Sequence, residues 1–289
     1  MTILSELSMR RLARWLPVII LAANVAHAQR ADTTKKKEEP PKIEDNSFLV
    51  EEAYNQEYGV VQHINTFQRG RNGNWNYAFT QEWPAPGQEH QLSYTIPIAH
   101  PDAATTSVGD IALNYRYQAL GKDEEPLWFA PRLSLYLPTG DRLKGTGAGG
   151  VSLEVMLPVS YTVSERLVTH WNASGIVSNS ASSTPTDGNQ NIKLVGGHLG
   201  ASAIALVSPN FNLMLETVLG RSQFLGASGD VISQNNFVVS PGIRGAFNFE
   251  SGLQIVPGIA FPIGFGPSDG QRDVLLYLSF EHPFRELRK

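Results

Sequence analysis

Apolar and polar side chains alternate along the last residues before Arg285. Val274, Leu276, Leu278, Phe280 and Phe284 fall on one face, interrupted by His282. Asp273, Tyr277, Ser279 and Glu281 fall on the other, joined by Leu275. A β-strand points successive side chains to opposite faces, so this period predicts a strand with one apolar and one mostly polar face. Asp273–Phe284 is about as long as the roughly 9–11 residues with which a tilted strand crosses a bilayer. The same period recurs upstream. Val151, Leu153, Val155, Leu157, Val159, Tyr161 and Val163 alternate with mostly polar neighbours, as do Leu133, Leu135 and Leu137 and the run Ile111, Leu113, Tyr115, Tyr117. The pattern predicts twelve strands, near 58–67, 75–83, 90–99, 109–120, 127–137, 150–163, 167–179, 193–207, 211–221, 236–248, 253–263 and 273–284. The first and eighth alternate least regularly.

The connections carry more information than any one strand. Those after the even-numbered strands are short, such as Ser164-Glu165-Arg166 and Ser208-Pro209-Asn210. Those after the odd-numbered strands are mostly longer, such as His100 to Val108, Pro138 to Gly149 and Ser180 to Ile192, and are rich in Gly, Ser, Thr, Asp and Asn. Tight turns at one end and longer loops at the other are the asymmetry of outer-membrane barrels. An even strand count puts both termini at the tight-turn end. The fold class predicted is therefore all-β, a closed antiparallel transmembrane β-barrel of about 12 strands, with Asp273–Phe284 closing on the strand at Tyr58–Phe67. A secreted β-sandwich is the competing architecture. It is disfavoured by the absence of cysteine and by predicted strands longer than the ~5–6 residues usual in globular sheets. Pro97, Pro131, Pro158, Pro241 and Pro257 fall inside predicted strands, where a residue without an N–H marks a bulge or a strand end.

Three regions are expected: a signal peptide over 1–28, a disordered charged linker over 29–47 and an outer-membrane barrel over 48–289. Arg10, Arg11 and Arg14 precede a short apolar run from Trp15 to Val25, and Ala26-His27-Ala28 supplies an A-x-A cleavage site. The linker carries Lys35-Lys36-Lys37-Glu38-Glu39-Pro40-Pro41, charged and without period. Phe48–Glu57 is too polar for a lipid-facing strand and reads as a short helix or an inward-tucked lead-in.

Composition refines this picture. The mean hydropathy, −0.18, is that of a soluble-looking chain, but a barrel that alternates apolar and polar residues averages to neutral. Removing residues 1–28 takes away three arginines and Glu6, leaving 20 basic and 26 acidic residues, net −6. That balance excludes nucleic acid as the expected partner. Cysteine is absent, so there is no disulfide framework, thiol nucleophile or thiolate metal site.

Catalytic motifs are scarce. Gly145-Thr-Gly-Ala-Gly-Gly150 lacks the Lys-Ser/Thr of a phosphate loop and has no helix pattern behind it. The histidines show no metal-ligand spacing, and no cofactor or metal is expected. If the apolar faces meet lipid, the polar partners face a lumen, because Lys or Arg on a barrel's lipid face costs ~2–4 kcal/mol near the midplane. The lumen-lining candidates are Arg116, Arg132, Tyr136, Glu154, His170, Glu216 and Arg244, with Glu82, Asn114, Ser134, Asn172, Ser240, Asn248 and Glu281 on the same face. Such a set suits a permeation path whose Arg and Glu set selectivity, or a salt-bridged filling of a narrow barrel. The expected function is a small-solute channel or transporter rather than an enzyme. A barrel lipid deacylase, with His170 and Ser174 as its pair, and a non-conducting structural barrel are the alternatives.

Phe48-Leu-Val-Glu-Glu-Ala-Tyr-Asn-Gln-Glu-Tyr-Gly-Val-Val-Gln-His63, Gly109-Asp-Ile-Ala-Leu-Asn-Tyr-Arg-Tyr117 and Pro131-Arg-Leu-Ser-Leu-Tyr-Leu-Pro-Thr-Gly-Asp141 carry a family resemblance. Together with the last strand they resemble the bacterial outer-membrane transporter-like family associated with phenol-degradation meta-pathways, over about 48–284. The resemblance implies a transporter-like barrel in the cell outer membrane, associated with uptake of hydrophobic or aromatic compounds, and it carries no catalytic or ligand residues. The implied partners are outer-membrane lipid, the barrel-assembly machinery and a small-molecule solute. The chain departs from the many barrels that end on an aromatic, since Arg285-Glu-Leu-Arg-Lys289 follows Phe284.

Overall fold

The computed structural model describes residues 43–101, 105–122, 125–184, 188–226 and 229–284. The expected signal peptide and residues 29–42 of the expected linker lie outside the described residues. Twelve barrel strands are present, several built from two collinear segments. They are β1 (Val60–Gly70), β2 (Trp75–Pro84), β3 (His90–His100), β4 (Ser107–Val108 and Ile111–Tyr117), β5 (Leu127–Phe129 and Arg132–Leu137) and β6 (Ser152–Ser164). There follow β7 (Leu167–Thr184), β8 (Gly188–Ser208), β9 (Phe211–Leu225), β10 (Val231–Gly245 and Phe247–Asn248), β11 (Gln254–Ala260 and Ile263–Gly264) and β12 (Asp273–Pro283). Each strand pairs antiparallel with its sequence neighbours, and β12 pairs with β1 from Val60↔Pro283 to Gly70↔Asp273. The sheet is thus a closed transmembrane barrel with no free edge. Among the described residues no helix is long and apolar enough to cross a membrane.

Polarity is inside out. Leu133, Leu135, Leu153, Val155, Leu157, Leu213 and Leu215 are 37–54 % exposed on the outer face, while Ser134, Asn212 and Glu216 on the same strands are fully buried inside. This is what a lipid solvent selects, since apolar side chains cost nothing there and charges do. The irregular alternation of β1 has two causes. Outside, Asn65 accepts a hydrogen bond from the Tyr77 hydroxyl at 2.7 Å and donates to the Leu278 carbonyl at 3.3 Å, so its polar groups are satisfied on the wall. Inside, Ile64 packs against an apolar cluster of Ile43, Ala246, Val256, Ala260, Leu275 and Tyr277, joined by Phe48 and Leu49. Leu275, the apolar residue on the polar face of the last strand, is a member of that lumenal cluster.

The strand bounds differ from those predicted. The first strand begins at Val60 and runs to Gly70, and a tight turn replaces the expected loop at 68–74. Most of the expected loops at 180–192 and 222–235 are strand, so that β7 and β8 reach 18 and 21 residues. A crossing needs only about 9–11, so these hairpins project past the bilayer at the loop end. Polarity alone could not separate a Ser/Asn-rich loop from a strand that has left the membrane.

The prolines follow one rule. Pro97, Pro158 and Pro241 each accept a backbone hydrogen bond from a break in the neighbouring strand: Gly109 at 2.8 Å, Ala130 at 3.2 Å and Phe261 at 2.9 Å. A residue's N–H points to the same neighbour as its C=O, so each missing proline donor faces a place where the ladder already lapses. Pro257 lies beside a fourth lapse, where pairing with β10 stops at Arg244↔Gly258 and resumes at Phe247↔Ile255. Pro131 itself occupies the break in β5.

Candidate functional site: the lumen and its inserted segment

Residues 43–57 are neither a helix nor a strand. They enter at the tight-turn end, where the Ile43 N–H meets the Pro209 carbonyl at 2.8 Å, arch into the barrel and return to β1. The last five residues of the expected linker, 43–47, belong to this inserted segment. Its apolar side chains fit where the wall has no side chain. A Cβ on Gly258 would lie 2.6 Å from Phe48, one on Gly242 2.9 Å from it, and one on Gly200 3.0 Å from Val50. Phe48 also packs on Tyr277, with ring centroids 5.2 Å apart.

A backbone without secondary structure still needs partners for its N–H and C=O groups once buried. Here the barrel wall supplies them. Glu216 Oε1 accepts the N–H groups of Phe48, Leu49 and Val50 at 3.1, 2.7 and 3.1 Å. Asn172 clamps both backbone groups of one residue, accepting from the Glu51 N–H at 2.7 Å and donating to the Glu51 carbonyl at 2.8 Å. His170 holds the Asp45 carbonyl at 2.9 Å through Nε2 while its Nδ1 meets Ser160 Oγ at 2.6 Å, and that hydroxyl also accepts the Ala53 N–H. The Ser47 and Ser202 hydroxyls are 2.8 Å apart.

Three arginines complete the attachment. Arg116 donates to the Tyr54 carbonyl at 2.7 Å, to the Glu52 carbonyl at 3.2 Å and to Asn55 Oδ1 at 3.1 Å, with the Glu52 carboxylate 3.4 Å away. Arg132 pairs with Glu51 and lies 3.8 Å from Glu154. Arg244 donates to the Asn46 carbonyl, and its guanidinium sits 5.0 Å over the Tyr277 ring. Of the seven lumen candidates, Arg116, Arg132, His170, Glu216 and Arg244 thus grip the inserted segment. Tyr136 instead donates to Glu154 at 2.7 Å, above it.

The remaining space is divided. Between the segment and the long-loop end lies a cavity of about 430 Å³, lined by apolar residues such as Leu49, Ile176, Val218, Val238 and Pro262 interleaved with polar ones such as Gln68, Glu154, Ser174, His198 and Arg221. A second, of about 210 Å³, runs between the segment and β1–β5. A third, of about 990 Å³, opens at the tight-turn end around Tyr54, Glu57, Tyr117 and Trp128. Among the described residues no group of His, Asp and Glu is placed to hold a metal.

The hydrolase pair His170 and Ser174 is not brought together. His170 is engaged by Ser160 and Asp45, while Ser174 meets His198 at 2.7 Å. Glu154 approaches His198 at 4.0 Å, but at the same Nδ1 that meets Ser174. A base that relays a proton needs its orienting acid on the opposite ring nitrogen, so these three do not form a triad. Sequence reasoning missed the glycine sockets and the glutamines at the tight-turn end. Gly242 and Gly258 occupy inward positions of the alternation, and a strand glycine at such a position marks a close approach.

The closed barrel is similar to the crystal structure of an outer-membrane channel from Pseudomonas putida F1, with 9 % identity and a TM-score of 0.59 over 80 % of this chain and 97 % of that one. Looser likenesses are to the NanC porin, at 7 % identity and a TM-score of 0.48 over 77 % of this chain and 98 % of that one, and to the CymD monoaromatic hydrocarbon channel, at 10 % and 0.42 over 80 % and 90 %. No protein-family model matches the chain, and no curated protein does. The first of these likenesses establishes architecture and nothing finer. The chain is a transmembrane β-barrel of the outer-membrane kind, with its own N-terminal segment seated in its lumen.

Proposed function

We propose that this protein is a channel of the cell outer membrane for small solutes, resting with residues 43–57 in its lumen. The observation that carries the reading is the division of the lumen: the segment is held by hydrogen bonds and ion pairs, yet cavities of about 430 and 210 Å³ remain beside and above it. A barrel filled only for stability would pack that space, as eight-stranded barrels do with side chains. The outer cavity offers apolar and hydrogen-bonding side chains together, which supports the finer reading of solutes with an apolar body and a hydrogen-bonding group, single-ring aromatics among them. An engineered cavity of about 150 Å³ already accommodates benzene. Export through the signal peptide and insertion by the assembly machinery, with Phe284 directly after the last strand, complete the proposal. The pair that raised the enzymatic reading, His170 and Ser174, is not in contact, because His170 is held by Ser160 and Asp45.

Liposome swelling tests the proposal. Proteoliposomes of the full chain should swell faster than protein-free liposomes in isosmotic solutions of small solutes that lipid holds back, such as glycine and arabinose, and not in raffinose. Absence of swelling with every solute would favour a structural barrel instead.

A further inference from the structure

The inserted segment leans on one side of the barrel. Residues 45–51 bond to Ser202, Asn172, His170, Glu216 and Arg244 on β7–β10, and to Arg132 on β5. Facing them across the lumen, Ile64 and Thr66 on β1, Thr80 on β2 and Thr95 on β3 line the 210 Å³ cavity instead. The Thr80 and Thr95 hydroxyls bond one another at 2.8 Å rather than the segment. Leu49 borders both this gap and the 430 Å³ outer cavity, and Gln68, the next inward residue of β1 beyond Thr66, borders the outer one. Leu49 is thus the side chain that stands between the gap and the outer cavity.

One inward position beyond Ile64 toward the tight-turn end, Gln62 on β1 belongs to a glutamine chain. Gln56 Nε2 donates to Gln62 Oε1 at 2.6 Å, and Gln62 Nε2 to Glu281 Oε1 at 2.5 Å. Beside them Gln91 accepts the Gln56 N–H at 2.7 Å and donates to Glu82 at 2.9 Å. Asn55 and Glu57, on either side of Gln56, line the open 990 Å³ cavity beyond.

Resting on the channel reading above, we propose that solutes pass beside the segment while it stays docked. The path runs from the outer cavity through the threonine-lined gap, and the Gln56–Gln62–Glu281 chain is its gate. It suits small solutes that combine an apolar face with a hydrogen-bonding group, because threonine offers a methyl and a hydroxyl at each step. The gate opens by side-chain rotation and does not require the segment to leave.

The chain has no cysteine, so a tether can be built cleanly. Ser47 and Ser202 touch through their hydroxyls, which suits a disulfide in the Ser47→Cys, Ser202→Cys variant. Potassium chloride current is recorded in planar bilayers in a Gln62→Ala background. Gln62→Ala should raise the mean current about fivefold by removing the gate's hydrogen bonds. Oxidation of the tether should leave that current within about twofold of the reduced value, and adding Thr80→Trp should abolish it. Current that vanishes on oxidation and returns on reduction would overturn the bypass and leave the channel reading standing. Silence in both states would remove both. If the tethered chain does not assemble, Thr80→Trp alone in the Gln62→Ala chain decides: lost current supports the bypass, and unchanged current refutes it.

Discussion

Glu216 shows how much one side chain can organise. Its carboxylate is buried in the wall of β9 and takes three consecutive N–H groups of a segment that has no secondary structure. Glu216→Ala leaves those donors without an acceptor, at a cost of about 1–3 kcal/mol for each that water cannot reach. Even one kcal/mol shifts the docked-to-undocked ratio about fivefold. Glu216→Gln, which keeps a carbonyl oxygen, should fall between the two. Acrylamide quenching of a Leu49→Trp reporter in each background would rank them. At Gly258 the expected effect is steric. Gly258→Ala places a methyl 2.6 Å from Phe48 and should raise quenching, since the ring must leave its socket to make room.

Glu44 and Asp45 add a pH dependence. Burial pushes the Glu44 carboxyl well above its usual range, reinforced by Glu281, Glu52 and Asp45 and opposed by Arg244. Burial raises Asp45 as well, against the opposing pull of His170. The docked segment therefore holds protons that a free segment would release. This contribution to docking is full below the ordinary carboxylate range and is lost as pH rises through the raised docked values. The same reporter should become more quenchable as pH increases, and no change between acid and alkaline buffer would contradict the assignment.

At the scale of the element, the strands were legible because membrane strands obey a strict period of two. The exceptions carried information of their own. Leu275 and Ile64 break the alternation because the lumen contains an apolar cluster built with Ile43 and Phe48, which no strand-by-strand reading could supply. Pro97, Pro158 and Pro241 looked like faults within strands, but each faces a lapse in its neighbour that only the register reveals. The closing pair of β1 and β12 was legible from the even strand count. It can be tested covalently, because Ile64 and Ser279 lie directly opposite and both are lumenal. The Ile64→Cys, Ser279→Cys variant should form a disulfide in the folded barrel, and reductant should restore the mobility of the unfolded chain on gels. A pair that stays reduced in the assembled barrel would argue against that register.

The whole molecule inverts the usual arrangement of a folded chain. Lipid solvates its apolar surface, and its polar side chains converge on a lumen too wide for them to fill. A twelve-stranded wall lies between barrels that side chains fill and barrels that hold water, and here a piece of the same chain takes up part of the difference. The polar face of the strands, expected to be lumenal from the cost of charge in hydrocarbon, carries buried groups such as His170, Glu216 and Arg244. What it grips was not readable, because hydrogen bonds from a wall to an irregular backbone leave no period in either partner. Phe48–Glu57 read as a stretch too polar for lipid, a short helix or an inward-tucked lead-in, with no sign of the partners it meets.

The central claim is that this barrel conducts and that residues 43–57 limit the conduction. Single-channel recording tests it most directly, comparing the full chain with one lacking residues 43–56, each first shown to fold by heat-modifiable gel migration. Small, intermittent currents from the full chain and larger, steady ones from the shortened chain are predicted. Two silent proteins, or two with the same conductance, would contradict it.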